Sequence, residues 1–179
     1  MITRIKRRLR AFRKSESGAV STLEFVLIVP PFLLLFMAAF EAGMLMTRTI
    51  MLEQAVDSTI RELRIGQIAN PTQDTIRDEI CSRTVIFPNC SEILMVELQR
   101  VNTTTFALPP IGAQCVNRDE EIVPVTTFET GQQNDIMLVR VCAMLDLMFP
   151  TTGIGARLTS DGQGGYGIVA VSAFANEPA

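Results

Sequence analysis

Four cysteines, no histidine and two lysines in 179 residues bound the chemistry open to this chain. Both lysines, Lys6 and Lys14, fall in the first 18 residues. Histidine-based triads, Ser–Lys dyads and histidine-ligated metal sites are therefore ruled out beyond that point. A carboxylate-pair hydrolase survives in principle, but no acids are spaced suggestively among aromatics. One tyrosine and no tryptophan leave little surface for stacking sugars. Neither an enzyme nor a bound cofactor is expected. The cysteines Cys81, Cys90, Cys115 and Cys142 suit oxidation to two disulfides, with three connectivities open. Cys81–Cys90 would close a local loop, and Cys115–Cys142 would tie a long loop to a strand; this pairing is favoured. Without histidine or a C-x-x-C pair, the same residues make a poor metal site. The acidic trio Asp119-Glu120-Glu121 could hold calcium but reads more simply as a solvated turn. Gly162, Gly164 and Gly167 match G-x-G-x-x-G, yet they precede a strand where a dinucleotide site needs them to open a helix.

Two further carboxylates stand out by position. Glu24 and Glu41 bracket sixteen uncharged residues, Phe25 to Phe40. Extended through Glu41 to Met46, the run is about 33 Å long as a helix, enough to cross a hydrocarbon core of ~30 Å. Ahead of it, the first 18 residues carry seven basic side chains (Arg4, Lys6, Arg7, Arg8, Arg10, Arg13, Lys14) and one acid, Glu16. The remainder of the chain is acidic. After the run, Arg48, Arg61 and Arg64 are offset by Glu53, Asp57 and Glu62. The positive-inside rule then places the N-terminus in the cytoplasm and everything beyond the span outside. The basic cluster abuts a membrane-length apolar run, so nucleic acid is not an expected partner. A signal-peptidase site needs small residues one and three positions before the cut. Ala38, Ala39 and Ala42 are preceded at the critical position by Phe36, Met37 and Phe40, so the segment is expected to be retained.

A carboxylate just inside a membrane persists where it finds a cation or water. Glu24 either meets a cation supplied by a partner or simply marks the cytoplasmic interface. Glu41, near the outer interface, could pair with Arg48 two turns on, remain solvated, or contact a partner. Pro30 and Pro31 remove two backbone donors and crowd the preceding turn, which predicts a kink or local unwinding.

These residues require elements to hold them. Residues 1–18 read as a basic cytoplasmic leader, 19–47 as a transmembrane helix, and 48–68 as its amphipathic extension. Ile50, Leu52, Ala55, Val56, Ile60 and Leu63 form the extension's apolar stripe. Gly66 and Asn70-Pro71 should stop it. Thr72 to Arg83 reads as a short helix with Thr72 as N-cap and Asp74 in its first turn. Strands are expected at Glu92–Val101, Asp135–Leu147 and Tyr166–Ala175. In the second, Met137, Val139, Val141, Ala143, Leu145 and Leu147 make an apolar face, while Arg140, Cys142 and Asp146 lie opposite, so one side should cover a core. The long connection from Asn102 to Asn134 could be pinned by Cys115. The expected fold is α+β: a long N-terminal helix followed by a domain at 69–179 with an antiparallel sheet and disulfides.

The stretch Gly18 to Phe25, Gly-Ala-Val-Ser-Thr-Leu-Glu-Phe, with Phe40-Glu41-Ala42-Gly43 after it, resembles the TadE-like family, the minor pseudopilins of the tight-adherence (Tad/Flp) type IV pilus system. The prolines within the span, the helix Met51-Leu52-Glu53-Gln54-Ala55 and the ending from Ser172 to Pro178 agree. The resemblance covers about residues 17–66 and the C-terminal end. It implies a leader removed by a prepilin peptidase near Gly18 and Ala19. A cut after Gly18 leaves Glu24 as the sixth mature residue, and a cut after Ala19 leaves it the fifth, where the family's glutamate normally stands. It also implies that Glu24, Phe25 and Glu41 serve assembly with other pilins, pseudopilins and platform proteins at a bacterial inner membrane, with the C-terminal domain periplasmic. The rival is an unprocessed, membrane-anchored scaffold or receptor of the same apparatus.

Overall fold

A computed structural model describes residues 17–68, 70–105, 113, 115–118, 127–151, 153–158 and 165–177. Residues 1–16 of the basic leader, the acidic trio at 119–121 and Gly162 and Gly164 lie outside them.

Helix α1, Ser17–Arg64, is 48 residues long, about 72 Å at 1.5 Å per residue. It changes character partway. Beyond Glu24 its first half is apolar and mostly exposed, including Phe25, Leu27, Phe32 and Leu35, with Val29, Met37 and Ala38 partly covered. From Leu52 onward a single stripe is buried: Leu52, Ala55, Val56, Thr59 and Ile60. That spacing is the one face of a helix that can lie on a sheet. Ile50 does not join it; it points to solvent, because it falls outside the 52-55-56-59-60 arc. The helix ends at Arg64, and Gly66 follows at φ 71°, a left-handed conformation that glycine adopts without a Cβ clash.

Helix α2, Gln73–Arg83, begins at the Thr72 cap, whose hydroxyl accepts from Thr75 N at 3.1 Å. Its buried Ile76 and Ile80 face the α1 stripe. Arg83 fastens the two helices, donating to Thr59 Oγ1 at 2.9 Å, Glu62 at 2.7 Å and Glu79 at 2.6 Å. The Cys81–Cys90 disulfide then leads into a single helical turn, α3, Cys90–Ile93, which the sequence had not signalled.

Three strands form one antiparallel sheet in the order β1-β2-β3: Leu94–Arg100, Ile136–Asp146 and Gly165–Ala175. The register aligns Leu94, Ala143 and Ile168 in one row and Val96, Val141 and Ala170 in the next. Leu145 sits beside Tyr166 and Met137 beside Phe174. This face meets α1 and α2 and forms the core. The sequence placed a core on one side of β2; the opposite face is also largely buried. Met95, Glu97, Arg140, Cys142 and Met144 are buried there as well. Glu97 and Arg140, paired across the strands, form an ion pair at 2.6 Å. The cause is the connection between β1 and β2. The Cys115–Cys142 disulfide ties it to the middle strand, and Arg118 reaches Asp146 at 2.6 Å. Another part of the same connection pairs with the free side of β1: Leu98 N donates to Thr127 O at 3.0 Å and Glu129 N to Leu98 O at 2.9 Å. A strand edge left bare would template association, and this one is partnered.

Candidate functional site

The residues marked for function lie along α1, and the helix sets their spacing. Gly18 and Ala19 stand in its first turn. A Cβ added at Gly18 would meet nothing within 4 Å, so this peptide is sterically open; its carbonyl accepts from Thr22 Oγ1 at 2.8 Å. Glu24 and Phe25 follow, both exposed. Among the described residues, no hydrogen bond or ion pair involves the Glu24 carboxylate. Pro30 and Pro31 lie inside the helix, which continues through both without leaving helical geometry. Of the two expected outcomes, a kink or local unwinding, the second does not occur.

Glu41, about 26 Å from Glu24 along the axis, is in a different state. It is 1% exposed. Its carboxylate accepts from Met148 N at 3.2 and 3.3 Å and from Phe149 N at 3.0 Å. Neither the Arg48 pair nor a solvated cap describes it: the acid clamps the turn that follows β2 onto the helix. Arg48 turns instead to the end of β2 and the start of β3, donating to Asp146 O at 2.8 Å and Tyr166 Oη at 3.0 Å. Two adjacent backbone donors on one carboxylate make a charge-assisted anchor that keeps a buried acid hydrogen-bonded. The Phe40 and Phe149 rings stack edge to face at 6.3 Å beside it. Gly153, at φ 56°, brings the chain against Ala38; a Cβ there would lie 3.0 Å from the Ala38 Cβ. The domain thus grips α1 at Ala38, Phe40, Glu41 and Arg48, as well as along its buried stripe.

Sequence reasoning missed the Glu41 clamp because its donors are backbone groups more than a hundred residues away, with no side-chain signature. The one available signal was the uncharged stretch Leu147 to Ala156, apolar enough to lie near the acid. Both disulfides link the pairs favoured from sequence, and no cysteine is free. Among the described residues, no cluster of acids and cysteines is arranged to hold a metal. Among the described residues one helix, α1, is long and apolar enough to cross a membrane.

Residues 19–61 match the family model described as TadE-like protein. The match lies within α1, from its first turn through the apolar half to the buried stripe, and stops short of the sheet. No curated protein and no solved structure matches the chain.

Proposed function

We propose that the chain is a non-enzymatic minor pseudopilin of a tight-adherence (Tad/Flp) pilus, anchored by the first half of α1 and processed by a prepilin peptidase. The carrying observation is that the TadE-like match falls on a helix with two environments: bare and apolar at first, then the core of a disulfide-bonded domain. A helix bare on all sides needs lipid or other helices around it. Disulfides suit an exported domain, which supports a periplasmic position for residues 69–179 and a cytoplasmic one for the basic leader. Gly18 and Ala19 would be presented to the peptidase at the cytoplasmic face. Glu24 and Phe25, exposed just beyond, would meet other pilins, pseudopilins and the assembly platform.

The reading of an unprocessed scaffold of the same apparatus shares this topology and differs at one bond. Co-expression of the full chain with its prepilin peptidase, followed by mass determination, separates them. The pseudopilin reading expects a mature N-terminus at Ala19 or Val20, and Gly18→Trp blocking a cut after Gly18. An intact leader beside an active peptidase would instead favour the scaffold.

A further inference from the structure

We infer that residues 147–151 and 153–158 form a membrane-contacting foot, seated in the headgroup and upper acyl region of the leaflet from which the domain emerges. This rests on α1 being the anchor. The segment is where the domain reaches furthest back along the helix, meeting it at Ala38, Phe40 and Glu41. It carries no charge from Leu147 through Ala156. Met148 is 49% exposed and Ile154 is 39% exposed, so apolar side chains are turned outward where a water-facing turn would place polar ones.

Position along the helix identifies lipid as the occupant. The uncharged run Phe25 to Phe40 covers only about 24 Å, short of a ~30 Å hydrocarbon core. The deficit must be met at one end. Extension towards the N-terminus would draw Glu24 inward, and its carboxylate has no partner among the described residues. Extension towards the C-terminus draws in Glu41, whose carboxylate is already buried and hydrogen-bonded. A buried acid that already has its donors loses little on entering lipid, whereas an unpartnered one loses its water. The boundary therefore lies beyond Phe40, and the foot, held at the level of Ala38 to Glu41, lies at or below it. Arg157, exposed at the far end of the foot, would stand at phosphate level. The foot is built to keep this shape. Arg157 N and Leu158 N both donate to Ile154 O, at 2.9 and 3.2 Å. Gly155 packs so closely that a Cβ would collide with the Phe149 carbonyl.

The chain has no tryptophan, so single introduced tryptophans report depth without background. The full chain carrying Ile154→Trp, or separately Met148→Trp, is reconstituted in phosphatidylcholine vesicles containing some phosphatidylglycerol. The lipids are brominated either near the headgroup or near the chain end. Leu33→Trp reports the span, and Val85→Trp, at a residue 86% exposed, reports the domain surface. Intact disulfides verify the fold of each variant. The foot expects blue-shifted emission at 154 and 148, with greater loss of intensity to shallow than to deep bromines; Leu33→Trp reverses that order, and Val85→Trp shows neither effect. If Ile154→Trp and Met148→Trp both behave like Val85→Trp while Leu33→Trp is quenched, the foot is refuted and the anchor stands. If Leu33→Trp is itself unquenched, the anchor fails and the foot with it.

Discussion

Glu24 and Glu41 look alike in sequence, each an acid at one end of an apolar run, and their environments separate them. Glu41 has become part of the domain's architecture. Glu41→Ala would leave the Met148 and Phe149 amides without acceptors, a loss of about 1–3 kcal/mol for an unsatisfied buried polar group. Glu41→Gln keeps one acceptor oxygen and the shape, so thermal unfolding in detergent should place it between wild type and Glu41→Ala. Glu24 has no such intramolecular work. Under the pseudopilin reading, Glu24→Leu leaves insertion and orientation unchanged, because the basic leader still sets topology, and reduces crosslinking to neighbouring pilins and piliation. Normal crosslinking and piliation in that variant would leave the carboxylate as an interface marker only. The sequence located both acids but could not tell them apart, because burial depends on what the distant turn after β2 brings to the helix.

At the scale of elements, legibility followed periodicity. The three strands begin and end within two residues of the expected bounds, and α2 starts at its expected cap, since alternation and capping are local signals. Ile50 was assigned to the wrong side of α1 because a six-residue stripe tolerates one misfit when no partner surface is visible. The burial of the outer face of β2 was missed for a different reason. Arg140 and Cys142 look like solvent-facing positions until the connection carrying Cys115 is folded over them, and that connection has no period to read. The Cys115–Cys142 link closes a loop of sequence separation 27. Removing it with Cys115→Ala and Cys142→Ala together should lower stability by ~2–5 kcal/mol. Urea unfolding measures the loss, and hydrogen exchange should show the strand around Arg140 and Met144 losing protection before the α1 stripe does. Uniform loss across both would mean that the loop is not the element being held.

At the scale of the molecule, α1 belongs to two environments at once. The same uninterrupted helix supplies the bare apolar half and, from Leu52, one wall of the core. A single Ala inserted between Gly43 and Met44 would turn Glu41 by ~100° relative to the stripe. The core should survive, because the stripe is intact, while the amides of Met148 and Phe149 lose their exchange protection. Retained protection at both would show that the helix absorbs the extra residue locally, as a bulge. The sequence foresaw a long helix and a domain beginning at residue 69, and it divided the helix's membrane-spanning part from its extension at residue 47. It could not show that the domain reaches back past that division to Ala38, because the contact is made by a turn whose own sequence says only that it is apolar.

The absence of any break in α1 between Glu24 and Arg64 also has a mechanical meaning. A bead on a flexible tether can be pulled without being turned; a blade forged to its shaft cannot. Axial torque applied to the bare half of this helix arrives at the sheet through Glu41, Arg48 and the core stripe in succession, with no swivel in between. A subunit drawn up a screw path would therefore carry its domain round with it, presenting a new side to its neighbours at every step.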